Sequence, residues 1–205
     1  MTSLCLPLSP PGGDSKILLH CCCAPCSGGI IERLRASGVS FTVFFFNPNI
    51  HPRGEYDLRK RELVRFTEKL AVPFVDADYD TDAWFERIRG LENEPERGKR
   101  CTQCFSFRLE RAALFAHENA FPVLTSSLGI SRYKDMDQVN ACGLRAVEPY
   151  PDLIYWDINW RKQGGADLMD SVARREAFYR QNYCGCLFSF RAAKEQQLRS
   201  LVTPP

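Results

Sequence analysis

No stretch of this chain approaches the roughly 20 apolar residues that a membrane helix requires. No charged start leads into a long apolar core either, so the expectation is a cytoplasmic chain without span or signal peptide. Charge of one sign is nearly absent: 27 Lys and Arg against 25 Asp and Glu leave a net +2. Whole-molecule electrostatics therefore favour no polyanionic partner, and any nucleic-acid site must be local. There is no internal repeat. What remains is 205 residues, 44% hydrophobic and 25% charged, enough to bury one continuous core without staples and too few to suggest a second domain.

Against these absences stand ten cysteines. A chain with no export signal and a sufficient core has no need of a disulfide framework, so the thiols read as ligands or redox groups. Eight fall in three tight groups: Cys21, Cys22, Cys23 and Cys26; Cys101 and Cys104; Cys184 and Cys186. Cys5 and Cys142 stand alone.

Residues 1–15 are rich in Pro, Gly and Ser without periodicity, the composition of a flexible leader that need not pack, and Cys5 belongs to it. Residues 16–205 then read as one domain. The apolar run Ile17–His20 predicts a strand, the turn around Ala24-Pro25 follows, and Ser27-Gly28-Gly29 opens an amphipathic helix over Ile30–Ala36 with Ser27 as its cap. A second strand, Val39–Phe46, is too apolar to have a solvated face and belongs inside a covered parallel sheet. Further helices are expected near Glu55–Leu70, Thr81–Arg89, Cys104–Glu118, Asp135–Ala146 and Asp167–Tyr179, with strands near Pro73–Val75, Pro122–Thr125 and Leu153–Tyr155. This alternation predicts a single α/β domain with a largely parallel sheet, whose sites lie beyond the carboxyl ends of its strands.

Three adjacent cysteines leaving a strand cannot all face one metal in extended conformation, so the Cys21–Cys26 loop must turn. Pro25 imposes that turn by pushing Ala24 out of helical geometry, and the following helix start favours thiolate over thiol. Cys101-Thr-Gln-Cys104 has the spacing that lets two sulfurs face one centre. Two thiolates of the first loop and this pair satisfy either a structural zinc or a 4Fe-4S cluster. In Cys184-Gly185-Cys186 the two Cα atoms can come within the disulfide range of about 4.4 to 6.8 Å, and glycine permits the tight ring. Such a bond in a reducing compartment suits a two-electron relay; two buried structural thiols are the plainer reading.

In order along the chain stand His20-x-Cys22-Cys23-Ala24-Pro25-Cys26; Phe46-Asn47-Pro48-Asn49-Ile50-His51-Pro52 with Glu55, Tyr56 and Arg59; Cys101-x-x-Cys104; Thr125-Ser126-Ser127-Leu128 with Ser131, Tyr133 and Lys134; and Tyr183-Cys184-Gly185-Cys186-x-Phe188-Ser189. From Ile17 to Ser189 the chain thereby resembles the epoxyqueuosine reductases of the QueH type. The resemblance implies reduction of the epoxide of epoxyqueuosine in tRNA to queuosine, the last step of queuosine formation, without cobalamin. It implies a 4Fe-4S cluster on Cys22, Cys23, Cys101 and Cys104, a second metal (an additional mononuclear iron) at Cys26, and a redox-active disulfide between Cys184 and Cys186. It further implies a fold similar to the PP-loop (adenine nucleotide alpha hydrolase-like) Rossmann-type domains, with Ser27-Gly28-Gly29 where their phosphate loop begins. Cys21 admits a slipped frame, Cys21-Cys22, but Ala24-Pro25 anchors the alignment on Cys22 and Cys23.

Epoxide-to-alkene conversion consumes two electrons and two protons and releases water. An unidentified electron donor must supply the electrons, and His51, Tyr56, Tyr133 and Lys134 are the candidate proton sources. Arg59-Lys60-Arg61, Arg97-Gly98-Lys99-Arg100 and Arg161-Lys162 are candidate phosphate contacts, and Tyr155, Trp156 and Trp160 candidate base-stacking surfaces. Two rivals predict differently: an ATP-using PP-loop enzyme requires nucleotide binding at Ser27-Gly28-Gly29, and a zinc-stapled RNA-binding module requires bound zinc and no redox activity.

Overall fold

The computed structural model describes residues 7–13 and 16–202; Cys5 lies outside them. Five strands form one sheet: β1 (Ile17–His20), β2 (Phe41–Phe45), β3 (Phe74–Asp76), β4 (Val123–Ser126) and β5 (Ile154–Tyr155). Their order is β3-β2-β1-β4-β5, and every neighbouring pair is parallel. The helices are α1 (Ala24–Ala36), α2 (Arg53–Lys69), α3 (Thr81–Arg87), α4 (Lys99–Glu118), α5 (Met136–Val147), α6 (Gly165–Arg175) and α7 (Leu187–Val202), with a 3-10 turn over Ser127–Ile130. This is the expected α/β domain with a parallel sheet.

Every residue of β1, β2 and β4 is buried, as strands covered on both faces must be. Alternation along β1 divides the core into two layers. Ile17 and Leu19 pack with Ile31 and Leu34 of α1, Leu63 and Phe66 of α2 and Val172 of α6. Leu18 packs on the other face with Phe105 and Leu109 of α4 and Val139 of α5.

Several boundaries depart from the sequence reading, each for a local reason. Helix α1 begins at Ala24, so Pro25 occupies its first turn, where a missing N–H costs nothing. The extended residue is Cys23 (φ −172°, ψ 158°) and not Ala24, and Ser27 lies inside the helix instead of capping it. Helix α4 starts at Lys99 behind the cap Gly98, which puts Cys101 and Cys104 together on its first turns. Helix α6 ends at Arg175, because Ala177 turns left-handed (φ 51°) and directs Phe178 into the core against Phe66. Helix α7 was not expected; from Lys194 to Ser200 its residues are exposed, so no apolar period announces it. The stretch read as a leader touches the domain at Leu8, which is buried in the core and whose N–H donates to the Ser37 hydroxyl at 3.0 Å.

The two glycines after Ser27 serve helix packing. A Cβ on Gly29 would lie 2.8 Å from the Met169 backbone and one on Gly28 would lie 2.9 Å from Val172 Cγ1, so both glycines let α6 close on α1. Ser27 is fully buried, and its hydroxyl donates to Ser127 Oγ at 3.1 Å. A segment so covered is not an open phosphate loop, and the nucleotide-binding rival loses the place it required.

Candidate active site

β1 stands at the point where strand order reverses, with β2 on one side and β4 on the other; in open α/β sheets the crevice at that point is the preferred ligand site. Two segments meet there, Cys21–Cys26 after β1 and Ser126–Lys134 after β4. Between them and α6 lies a cavity of about 440 Å³, whose lining includes Cys22, Cys23, Cys26, Tyr133, Lys134 and Cys184.

The three adjacent cysteines do not all face one way, as expected, but the turn places Cys22 and Cys23 together, where strict alternation would pair Cys21 with Cys23. Cys21 points into the core layer of α1 and α2, its N–H donates to the Phe44 carbonyl at 2.9 Å, and burial raises its thiol far above the ordinary range. Cys22 and Cys23 emerge on the other face. Because the chain then turns into α1, Cys26 swings back to join them: the Sγ atoms of Cys22, Cys23 and Cys26 all lie within 4.8 Å of one another, and Cys22 to Cys23 is 3.7 Å. This is the grouping the slipped frame would not produce. Hydrogen bonds from Cys23 and Cys26 hold Cys22 well below the usual thiol value against the opposing effect of burial. As the donor, Cys23 is pushed up to about 12, and Cys26 is also raised. Of the three, Cys22 is thus the thiol most favoured to ionise, at a helix start that stabilises thiolate.

Cys101 and Cys104 lie outside that trio. Cys101 packs against the layer that contains Cys22 and Cys23, and its Sγ accepts from the Arg97 N–H at 3.2 Å. Cys104 sits with Trp84 and Ile88, and Cys186 packs against the same cluster. Burial raises Cys101 to about 12 and Cys104 to about 11. The Cys184-Gly185-Cys186 turn spans the two sulfur regions: Cys184 lines the cavity, while Cys186 faces the Cys104 side. Both thiols are free in this structure. Gly185 is required at φ 130°, and a Cβ there would stand 3.1 Å from Arg59 Nη1.

Arg59 explains the Glu55-Tyr56-Arg59 word. It pairs with Glu55 and donates to the Cys184 carbonyl at 3.1 Å, so α2 holds the Cys184 turn in place. Of the proton candidates, Tyr133 and Lys134 line the cavity, whereas His51 and Tyr56 do not. The His51 ring lies against Trp84 and Phe85 with Nδ1 2.8 Å from the Asn49 carbonyl. Its backbone does serve the site, since its N–H donates to Gly185 O and its carbonyl accepts from the Tyr183 hydroxyl. Tyr56 packs on Tyr79 in the core. Lys134 is buried; burial alone would lower its ammonium, but the sulfurs of Cys184, Cys22 and Cys26, where ionised, raise it by more.

All three basic runs are partly consumed internally: Arg59 as above, Arg100 by the carbonyls of Leu91, Glu92 and Glu94, and Arg161 by those of Ile130 and Ser131. Trp156 and Trp160 form an edge-on pair that is not part of the cavity lining, with Trp160 buried in the core. The cationic rim is Arg132, Arg161 and Arg180, of which Arg180 pairs with Asp170 at 3.0 Å. Arg132 and Arg180 were missed in sequence because neither belongs to a basic run.

Over residues 17–192 the chain matches the family described as Epoxyqueuosine reductase QueH. The chain belongs to that family. A QueH of Histophilus somni is 59% identical over 184 residues, spanning 90% of this chain and 76% of that protein. A QueH of Acinetobacter baylyi is also 59% identical, covering 90% and 84%, and one of Thermotoga maritima is 30% identical, covering 88% and 93%. Among solved structures, the U34-tRNA thiolase NcsA from Methanococcus maripaludis with its 4Fe-4S cluster aligns with TM-score 0.57 at 13% identity, over 93% of this chain and 68% of that one. That likeness establishes a shared fold. As in QueH relatives, this chain is an oxidoreductase, and among the described residues no helix is long and apolar enough to cross a membrane.

Proposed function

We propose that the cavity receives epoxyqueuosine carried in tRNA and that the protein reduces its epoxide to the cyclopentene of queuosine. The observation that carries this reading is the trio Cys22, Cys23 and Cys26 at the wall of a cavity with a cationic rim, in a chain of the QueH family.

The donor set fits an iron-sulfur centre. Soft thiolates select iron-sulfur clusters and zinc over hard cations, and the buried cations Lys134, Arg59 and Arg108 offset the negative charge that such a centre brings. Cys22, Cys23, Cys101 and Cys104 are the four thiolates for a 4Fe-4S cluster, leaving Cys26 for an adjacent mononuclear iron. The nearness of Cys26 favours a second assignment, in which Cys22, Cys23 and Cys26 hold the cluster. A cluster there supplies one-electron transfer at low potential.

The chain's own groups supply the rest. Closing a disulfide between Cys184 and Cys186 releases two electrons and two protons, the amounts that turn an epoxide into an alkene and water, and a donor outside the chain returns the pair to dithiol. Tyr133 and Lys134 present an O–H and an N–H to the cavity, Lys134 as an ammonium that can hydrogen-bond the epoxide oxygen. Arg132, Arg161 and Arg180 meet backbone phosphates on either side of the inserted nucleoside.

Anaerobic purification with iron and acid-labile sulfide analysis, followed by incubation with epoxyqueuosine-containing tRNA and a reductant, tests this reading. Brown protein that forms queuosine is expected; colourless zinc protein with no turnover overturns it. Iron content of Cys26→Ala and Cys101→Ala separates the two ligand assignments, since the protein loses its cluster only where a ligand is removed.

A further inference from the structure

Arg108 lies one helical turn beyond Cys104 on α4, the i and i+4 positions that share a helix face. It is 1% exposed, and no carboxylate pairs with it among the described residues. One Nη donates to Asn47 Oδ1, while its buried Nε has no partner. Asn47 is itself buried and donates from Nδ2 to the Cys21 carbonyl at 2.9 Å, so a chain of two hydrogen bonds joins α4 to the turn that carries the sulfur trio. A guanidinium in such a place is costly unless negative charge compensates it, and the sulfurs tied to it by geometry are Cys104, one turn earlier on the same helix, and the trio whose turn Asn47 braces. His20 and Lys134, also buried and within its field, can carry no negative charge and so supply no counter-charge.

We infer that Arg108 is a positioning residue of the reduction, a fixed buried cation linked to one sulfur group along α4 and to the other through Asn47, that raises the reduction potential of the cluster they hold. The inference rests on the proposed function, because the anion that balances Arg108 is the thiolate-bound centre. Reduction adds one negative charge to that centre. A neighbouring cation therefore stabilises the reduced form more than the oxidised one, and net charge with hydrogen bonding near the sulfurs is what sets such potentials.

The test is the midpoint potential of the cluster, read by redox titration of its absorbance or spin signal in anaerobically purified wild type, Arg108→Gln and Arg108→Lys. Arg108→Gln is expected to retain iron and to lose at least tenfold in the equilibrium constant for one-electron reduction, a shift of about −59 mV. Arg108→Lys, which keeps the charge, returns towards wild type. Asn47→Asp serves should Arg108→Gln not fold: it keeps the acceptor for the guanidinium, adds a carboxylate against it, and is expected to lower the potential likewise. Unchanged potential in iron-replete Arg108→Gln, or in Asn47→Asp where the first variant does not fold, overturns the inference and leaves the proposed function standing. Wild type without a cluster overturns both.

Discussion

The Arg59 guanidinium donates to the Cys184 carbonyl at 3.1 Å and to the Tyr183 carbonyl at 3.5 Å, while its ion pair with Glu55 is buried, the two side chains being 2% and 9% exposed. A helix of the second strand-helix unit thus holds a turn about 125 residues further along. Arg59→Ala leaves the Glu55 carboxylate without its cation and with only the Tyr179 hydroxyl as a donor, a loss of about 3 kcal/mol. Arg59→Lys keeps a charge but not the fork, and is expected to stay folded while turnover falls at least tenfold as the Cys184 turn loosens. Denaturant unfolding and turnover with tRNA substrate check the two variants; equal turnover in Arg59→Lys and wild type would separate this arginine from the function of the turn.

Cys21 and Cys22 are adjacent yet belong to different layers. Cys21→Ala is expected to cost about 1 kcal/mol of packing and to retain full iron content, whereas Cys22→Ala loses the iron. Metal analysis after anaerobic purification decides; iron loss in Cys21→Ala would restore the slipped frame.

Gly29→Ala drives a methyl group against the Met169 backbone, which cannot move aside as a flexible side chain would. A destabilisation of about 1–3 kcal/mol is expected, and ATP should shift the melting temperature of neither protein. Thermal denaturation with and without nucleotide measures both; protection of wild type by ATP would reinstate the nucleotide-binding rival.

Hydrogen bonds from Lys69, against a smaller effect of burial, hold the Glu176 carboxyl below its ordinary value of 4.5, and Arg175 adds to them. Because the folded value is depressed, this contribution is fully present above the unfolded value and drains away as pH falls through the folded one. Lys69 and Arg175 are 59% and 54% exposed, so screening limits the pair to roughly 1 kcal/mol or less. Glu176→Gln should therefore be less stable than wild type at neutral pH, and the gap should close on acidification. Unfolding free energies along a pH series test this; a gap that persists at low pH means that the carboxylate charge is not what matters.

Arg132→Ala and Arg180→Ala remove cations from the rim without touching a sulfur. Each is expected to weaken tRNA binding, to lower the salt slope by about 1, and to leave iron content unchanged. Binding titrations at several salt concentrations provide the measurement. Unaltered slopes in both variants would place the tRNA backbone elsewhere.

Alternation of apolar runs with amphipathic segments made the parallel sheet legible, since strands covered on both faces need no polar alternation and announce themselves in Ile17–Leu19 and Phe41–Phe45. The start of α1 was harder, because Pro25 is compatible both with breaking a helix and with opening one. The glycines of Ser27-Gly28-Gly29 were ambiguous for a similar reason: a residue without Cβ suits a phosphate loop and a close helix crossing alike, and only the presence of α6 distinguishes them. Helix α7 left no periodic trace because its outer turns bury no stripe.

By itself the chain determined the kind of chemistry, because the clustering of cysteines and the order of the motifs are properties of the residues and need no third dimension. Which sulfurs meet was decided only by tertiary structure. Cys21 continues the alternation of β1 into the core, whereas the turn into α1 keeps Cys23 beside Cys22 and brings Cys26, four residues beyond Cys22, back to both. The buried cations Arg59, Arg108 and Lys134 arrive from three separate stretches of sequence. A charge becomes costly, and therefore informative, only once folding has removed the water around it.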